Sequence, residues 1–175
     1  MTFELDFSTL NLQDALDVAV LIEKEAEERY VLFAAQLGKR YRGDAADFFI
    51  MMARNEQLHG AEIAEKRRAL FGDAPSRITE TMIGYDIEAP EIEKPRRYMS
   101  VRHALEVAME SEIKAFEFYD QALASGVQDD SVRKLLAELR DEEVEHQRLL
   151  NEQKAKYPDS MEPDLEPEED DIPSL

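Results

Sequence analysis

The chain has no cysteine and no tryptophan, and only six glycines and seven prolines among 175 residues. Without cysteine there is no disulfide, no thiolate zinc site, no iron–sulfur cluster and no rubredoxin-type iron, which needs four thiolates. So little glycine and proline argues against a sandwich of many tight turns and for long helices. No stretch approaches the roughly 20 apolar residues of a membrane-spanning helix. The opening MTFELDFSTL has neither the basic nor the apolar region of a secretion signal. Positive charge is scarce too: 21 Lys and Arg stand against 40 Asp and Glu, a formal charge of −19. Nucleic acid and anionic membrane both need a cationic face, so neither is expected as a partner. The default expectation is a soluble cytoplasmic protein.

Part of the acidic excess is local. Residues 158–175 hold eight acidic residues, four prolines and no basic residue, the composition of a disordered tail. This leaves 1–157 as one expected folded domain. Within it, four stretches carry apolar residues at helical spacing. The first runs from about Gln13, behind an Asn11 cap, to Leu37. The second runs from Asp44 to Phe71 and stops at Gly72. After a non-helical segment, 73–99, holding three prolines, a third helix starts at a Ser100 cap and ends before Gly126. The fourth begins at Asp129 or Asp130 and fades near Tyr157. Two helical pairs with tight turns and one long connection predict an all-α four-helix bundle with the crossover between helices 2 and 3.

The two pairs, 13–72 and 100–157, are copies of one hairpin. Laying ALDVAVLIEKEAEERY (15–30) over ALEVAMESEIKAFEFY (104–119) makes eight of sixteen positions identical, among them Glu23/Glu112, Ala26/Ala115 and Tyr30/Tyr119. Downstream, NEQLH supplies Glu56-x-x-His59, and EEVEH supplies Glu143-x-x-His146. Each hairpin thus has a Glu on its first helix and a Glu-x-x-His on its second.

Residues three or four apart share a helix face. Glu23 falls in the stripe Ala19, Ile22, Ala26, Tyr30, and Glu56 in Phe49, Met52, Ala53, Ile63. Glu112 falls in Leu105, Ala108, Ala115, Tyr119, and Glu143 in Leu136, Leu139, Leu150. Each acid therefore lies on a face otherwise meant for the core. Four carboxylates and two imidazoles pointed at one another are untenable without a cation, because like charges at close range in low dielectric cannot all ionise. Two divalent ions balance four glutamates with both histidines neutral. This set matches the ligand pattern of ferritin-like di-iron and di-manganese bundles. Its hard oxygens with one imidazole per metal suit iron or manganese better than copper. Glu56 and Glu143 are expected to bridge the metals, with Glu23 and Glu112 terminal and one histidine on each.

These residues resemble the rubrerythrin family across the four helices, about 13–157. The resemblance implies two iron ions, with manganese or zinc as alternatives, ligated by Glu23, Glu56, His59, Glu112, Glu143 and His146. It implies an enzyme, a non-haem di-iron peroxidase or oxidoreductase acting on hydrogen peroxide or dioxygen, and a homodimer. Rubrerythrin proper has a C-terminal rubredoxin domain, for which this chain has no cysteine, so the electron donor is expected to be external. Its additional carboxylate, one turn beyond the third-helix glutamate, matches Ala115 here. Two other functions fit the same residues: ferritin-like iron oxidation and storage, and a non-catalytic, metal-stabilised helical module whose tail docks a partner.

Tyr30 and Tyr119 follow Glu23 and Glu112 by two turns. They read either as groups hydrogen-bonding the ligands, or quenching a stray oxidant, or as core aromatics with satisfied hydroxyls. Met51, Met52, Met99 and Met109 are expected as core filler, and His103 as exposed on the face opposite Glu112.

Overall fold

The computed structural model describes residues 5–83, 87–88 and 99–157. Four long helices carry it: α1 (Leu12–Leu37), α2 (Ala45–Phe71), α4 (Val101–Ala124) and α5 (Asp130–Lys154), with a one-turn α3 (Glu80–Ile83). No strand occurs among the described residues. Each long helix starts where a short polar side chain satisfies an orphan N–H. Asn11 Oδ1 accepts from the Asp14 N–H while Asp14 returns the bond to the Asn11 N–H. Asp44 accepts from Asp47, Ser100 from His103, and Asp129 from Ser131 and Val132. At the far ends, Gly38 and Gly72 take positive φ of 64° and 58°, open to glycine at no steric cost.

α1 pairs with α2 and α4 with α5, while α1 lies beside α5 and α2 beside α4. The Arg40 guanidinium, in the α1–α2 turn, donates to the Met99 carbonyl, so α4 begins at the end where α2 begins. Phe71 and Val101 therefore lie at opposite ends of the bundle, as the predicted crossover requires. Its first part is tied to α1. Arg77 grips Asp14 with two bonds of 2.7 Å, and Arg67 reaches from α2 to Asp17 and to the Gly72 and Ala74 carbonyls. The stretch 73–99, expected to lack helix, contains α3; a single turn is too short to show a period in sequence. The tail expected over 158–175 lies outside the described residues.

The core is in two halves. One gathers Leu16, Ile22, Ile63, Phe118 and Leu136; the other Phe33, Phe49, Met52, Leu105 and Leu150. Of the methionines, Met52 and Met99 are buried and Met109 packs at the core edge, but Met51 is exposed. It lies about 100° around α2 from Met52, which turns it to solvent. His103 is half-buried rather than exposed, because the first turn of α4 sits beside the end of α5, where Arg102 bonds the Tyr157 carbonyl.

Candidate metal centre

Between the two apolar halves lies a polar layer. Glu23 follows Ile22 and precedes Ala26 on α1; Glu56 lies between Ala53 and Ile63 on α2. Glu112 separates Ala108 from Ala115 on α4, and Glu143 separates Leu139 from Leu150 on α5. All four are nearly inaccessible, at 3%, 1%, 0% and 2% exposure. The structure brings all six residues singled out in the sequence together, in two groups. Donor atoms of Glu23, Glu56 and His59 lie within 4.8 Å of one another, as do those of Glu112, Glu143 and His146. Each hairpin supplies its own group. The imidazoles of His59 and His146 stack nearly parallel, with centroids 4.9 Å apart, so the groups face each other.

α2 approaches α1 closely here because residue 60 is glycine. A Cβ at Gly60 would lie 3.2 Å from Glu23 Cβ, tighter than ordinary packing. The sequence NEQLHG thus provides two ligand-type side chains and the gap that lets the neighbouring helix bring a third.

A seventh residue enters that sequence reasoning missed. Glu88, on the crossover, is 1% exposed, and its donor oxygen lies within 4.8 Å of those of Glu56 and Glu112. Glu56 and Glu112 therefore each belong to two groups. YDIEAPEIEK has no helical period and no counterpart in the repeat, so nothing in the chain marks Glu88 off from Glu91 or Glu93.

The electrostatics match a site short of positive charge. Burial raises the Glu56 acid to about 7, helped by the Glu112 charge. Glu143 is raised to about 8, again chiefly by burial, and Glu23 and Glu88 also lie well above the usual carboxylate range. Burial alone would lower His146, but hydrogen bonds to Glu112 and Glu143 outweigh it and hold the imidazole up at about 11. Its Nδ1 lies 3.0 Å from Glu112 and 3.3 Å from Glu143. His59 is lowered by burial and by His146.

Among the described residues, one buried oxygen of each of Glu23, Glu56, Glu88 and Glu112 has no hydrogen-bond partner, while Glu143 Oε2 meets only the His146 Nδ1, at 3.3 Å. An unpaired buried carboxylate oxygen is severely penalised. Four in one layer, with a fifth carboxylate and imidazole nitrogens beside them, fit a pair of hard divalent cations. The Tyr30 and Tyr119 hydroxyls are fully buried; among the described residues Tyr119 has no hydrogen-bond partner, and Tyr30 lies beside Ser111. Burial and the neighbouring carboxylates raise both phenols well above their ordinary range, so they keep their protons.

Four helices that hold carboxylates and imidazoles in one layer define the ferritin-like class of metal-carboxylate bundles. The chain belongs within it to the rubrerythrin family, whose model matches residues 14–154. The crystal structure of an uncharacterized conserved protein from Magnetospirillum magnetotacticum MS-1 is 33% identical, with a TM-score of 0.63 over 85% of this chain and 97% of that one. A hypothetical protein from Pyrococcus furiosus, 21% identical with a TM-score of 0.53 over 86% and 94% of the two chains, shares the fold. No curated protein matches the chain. Among the described residues no helix is long and apolar enough to cross a membrane.

Proposed function

We propose that the centre holds two iron ions and works as an oxidoreductase, reducing hydrogen peroxide or dioxygen with electrons from an external donor. The observation that carries this reading is the pair of Glu/Glu/His groups, in which, among the described residues, buried oxygens of Glu23, Glu56 and Glu112 lack partners. Glu23, Glu56 and His59 would hold one ion; Glu112, Glu143 and His146 would hold the other. Two ferrous ions, if bound there, would supply two electrons, which with two protons take hydrogen peroxide to two waters or dioxygen to hydrogen peroxide.

The protein's part is to hold, exclude and protonate. His146 must release its proton to become a ligand, so metal uptake is coupled to proton release and weakens as pH falls. The apolar halves above and below the layer keep bulk water from the carboxylates. The imidazoles are its most open part: His146 has 20% of its side chain exposed and His59 is half-buried. A small oxidant is therefore expected to enter past the histidine stack. Tyr30 and Tyr119 place protonated phenols within the carboxylates' field.

Protein loaded anaerobically with ferrous iron should, given peroxide and a separate reductant, turn over many times per chain. A single oxidation per metal followed by arrest would overturn the reading in favour of iron oxidation and storage. No oxidation at all would leave a metal-stabilised module.

A further inference from the structure

We propose that Glu88 is a metal-ligating carboxylate of this centre, delivered by the crossover and placed between Glu56 of the first hairpin and Glu112 of the second. The inference rests on the two-metal reading above and adds a ligand that neither repeat contains.

Three observations carry it. Glu88 is 1% exposed, and Ile87 beside it is 2% exposed and part of the apolar half that holds Leu16 and Phe118. The crossover is thereby pinned with Glu88 turned inward. Its donor oxygen lies within 4.8 Å of those of Glu56 and Glu112. Its Oε2 has no hydrogen-bond partner among the described residues, its carboxyl pairs with Glu56, and the charges acting on it most strongly, those of Glu23, Glu143, Glu56 and Glu112, are carboxylates. A buried carboxylate among carboxylates is accommodated either by a shared proton or by a cation.

Glu88 also breaks the pseudo-symmetry of the centre. The repeat makes Glu56 equivalent to Glu143, and Glu23 to Glu112. The gap between Glu56 and Glu112 thus corresponds to the gap between Glu143 and Glu23. Among the described residues, only the first of these gaps has a further carboxylate grouped with it. The two metal positions are therefore chemically unequal. Five carboxylates against two divalent cations leave one negative charge in excess, so Glu88 favours a more highly charged metal pair.

The test is a Co(II) titration of the metal-free full chain, followed by visible ligand-field spectra and calorimetry. Wild type should take up two Co(II) per chain. Glu88→Gln should bind at least tenfold more weakly, and its spectrum should be displaced from that of wild type. Glu88→Asp, which keeps the charge but is shorter by one methylene, should bind with a displaced spectrum even if the Gln variant folds poorly. Spectra of both variants superimposable on wild type would overturn the proposal and leave Glu88 as a protonated acid bonded to its neighbours. If wild type fails to take up two ions, the two-metal reading itself fails, and the role of Glu88 falls with it.

Discussion

Burial and the Glu112 charge raise the Glu56 acid to about 7, so at pH 8 the metal-free fold carries a carboxylate that is easier to ionise in the unfolded chain. An acid whose folded pKa is raised destabilises the fold above its unfolded pKa, and the penalty is complete once pH passes the folded pKa. Glu56→Gln removes that penalty while keeping the shape. We expect the metal-free variant to be more stable than wild type by about 1–3 kcal/mol at pH 8 and indistinguishable at about pH 4.5. The same change should reduce bound metal from two ions per chain to one or none. Denaturant unfolding at the two pH values, with metal analysis, checks both halves. A metal-free variant weaker than wild type at pH 8 would mean that Glu56 is held by bonds of its own.

At the level of the helix, Gly60 is the telling position. A glycine inside a helix costs about 1 kcal/mol relative to alanine, and here the residue lies beside His59 with Glu23 Cβ 3.2 Å from where a Cβ would stand. That atom belongs to the α1 backbone region and moves only with the helix. Gly60→Ala should therefore gain helix propensity and lose packing, for a net stability change under about 1 kcal/mol, while metal affinity falls severalfold because the Glu23–Glu56–His59 group is spread. A full gain in stability with unchanged Co(II) affinity would show that α1 yields freely.

The long helices were legible because their caps and apolar stripes agree: Asn11, Asp44, Ser100 and Asp129 stand where the chain turns into helix. The six ligand-type residues were legible because a duplicated pattern repeats an otherwise unfavourable choice, acid on a core face. Glu88 obeys no period, and its burial depends on where Ile87 docks, a tertiary fact. The grouping of these residues was equally hidden. Spacing places Glu56 with His59 on one face, but that Glu56 and Glu112 converge on a third carboxylate follows only from how the hairpins assemble.

For the molecule as a whole, the raised acids and His146 act in the same direction. The acids Glu23, Glu56, Glu88 and Glu143 keep protons in the fold that the unfolded chain has lost above about pH 4.5. Stability falls as pH rises through about 7 and about 8, the raised values of Glu56 and Glu143. His146, raised to about 11, stabilises fully below its ordinary 6.5 and loses that contribution as pH climbs. On the acid side, the lowered His59 and the lowered acids Asp14 and Asp44 oppose the trend. The metal-free protein should therefore melt highest at about pH 4.5–5 and progressively lower towards pH 8. Two bound divalent cations should remove the decline. A metal-free melting temperature that is flat from pH 5.5 to 8 would contradict the burial of these acids together.

The oxygens left without partners also link metal supply to how long each molecule survives. A chain made where iron or manganese is scarce folds against the repulsion of its own carboxylates and spends a larger fraction of time unfolded, where proteases act. In growing cells its half-life should shorten on chelation and recover when metal returns, as pulse-chase labelling would show. Glu56→Gln, relieved of part of that repulsion, should persist through chelation better than wild type. Abundance would then be set by turnover, with metal supply read out by the folded protein itself and no separate sensor.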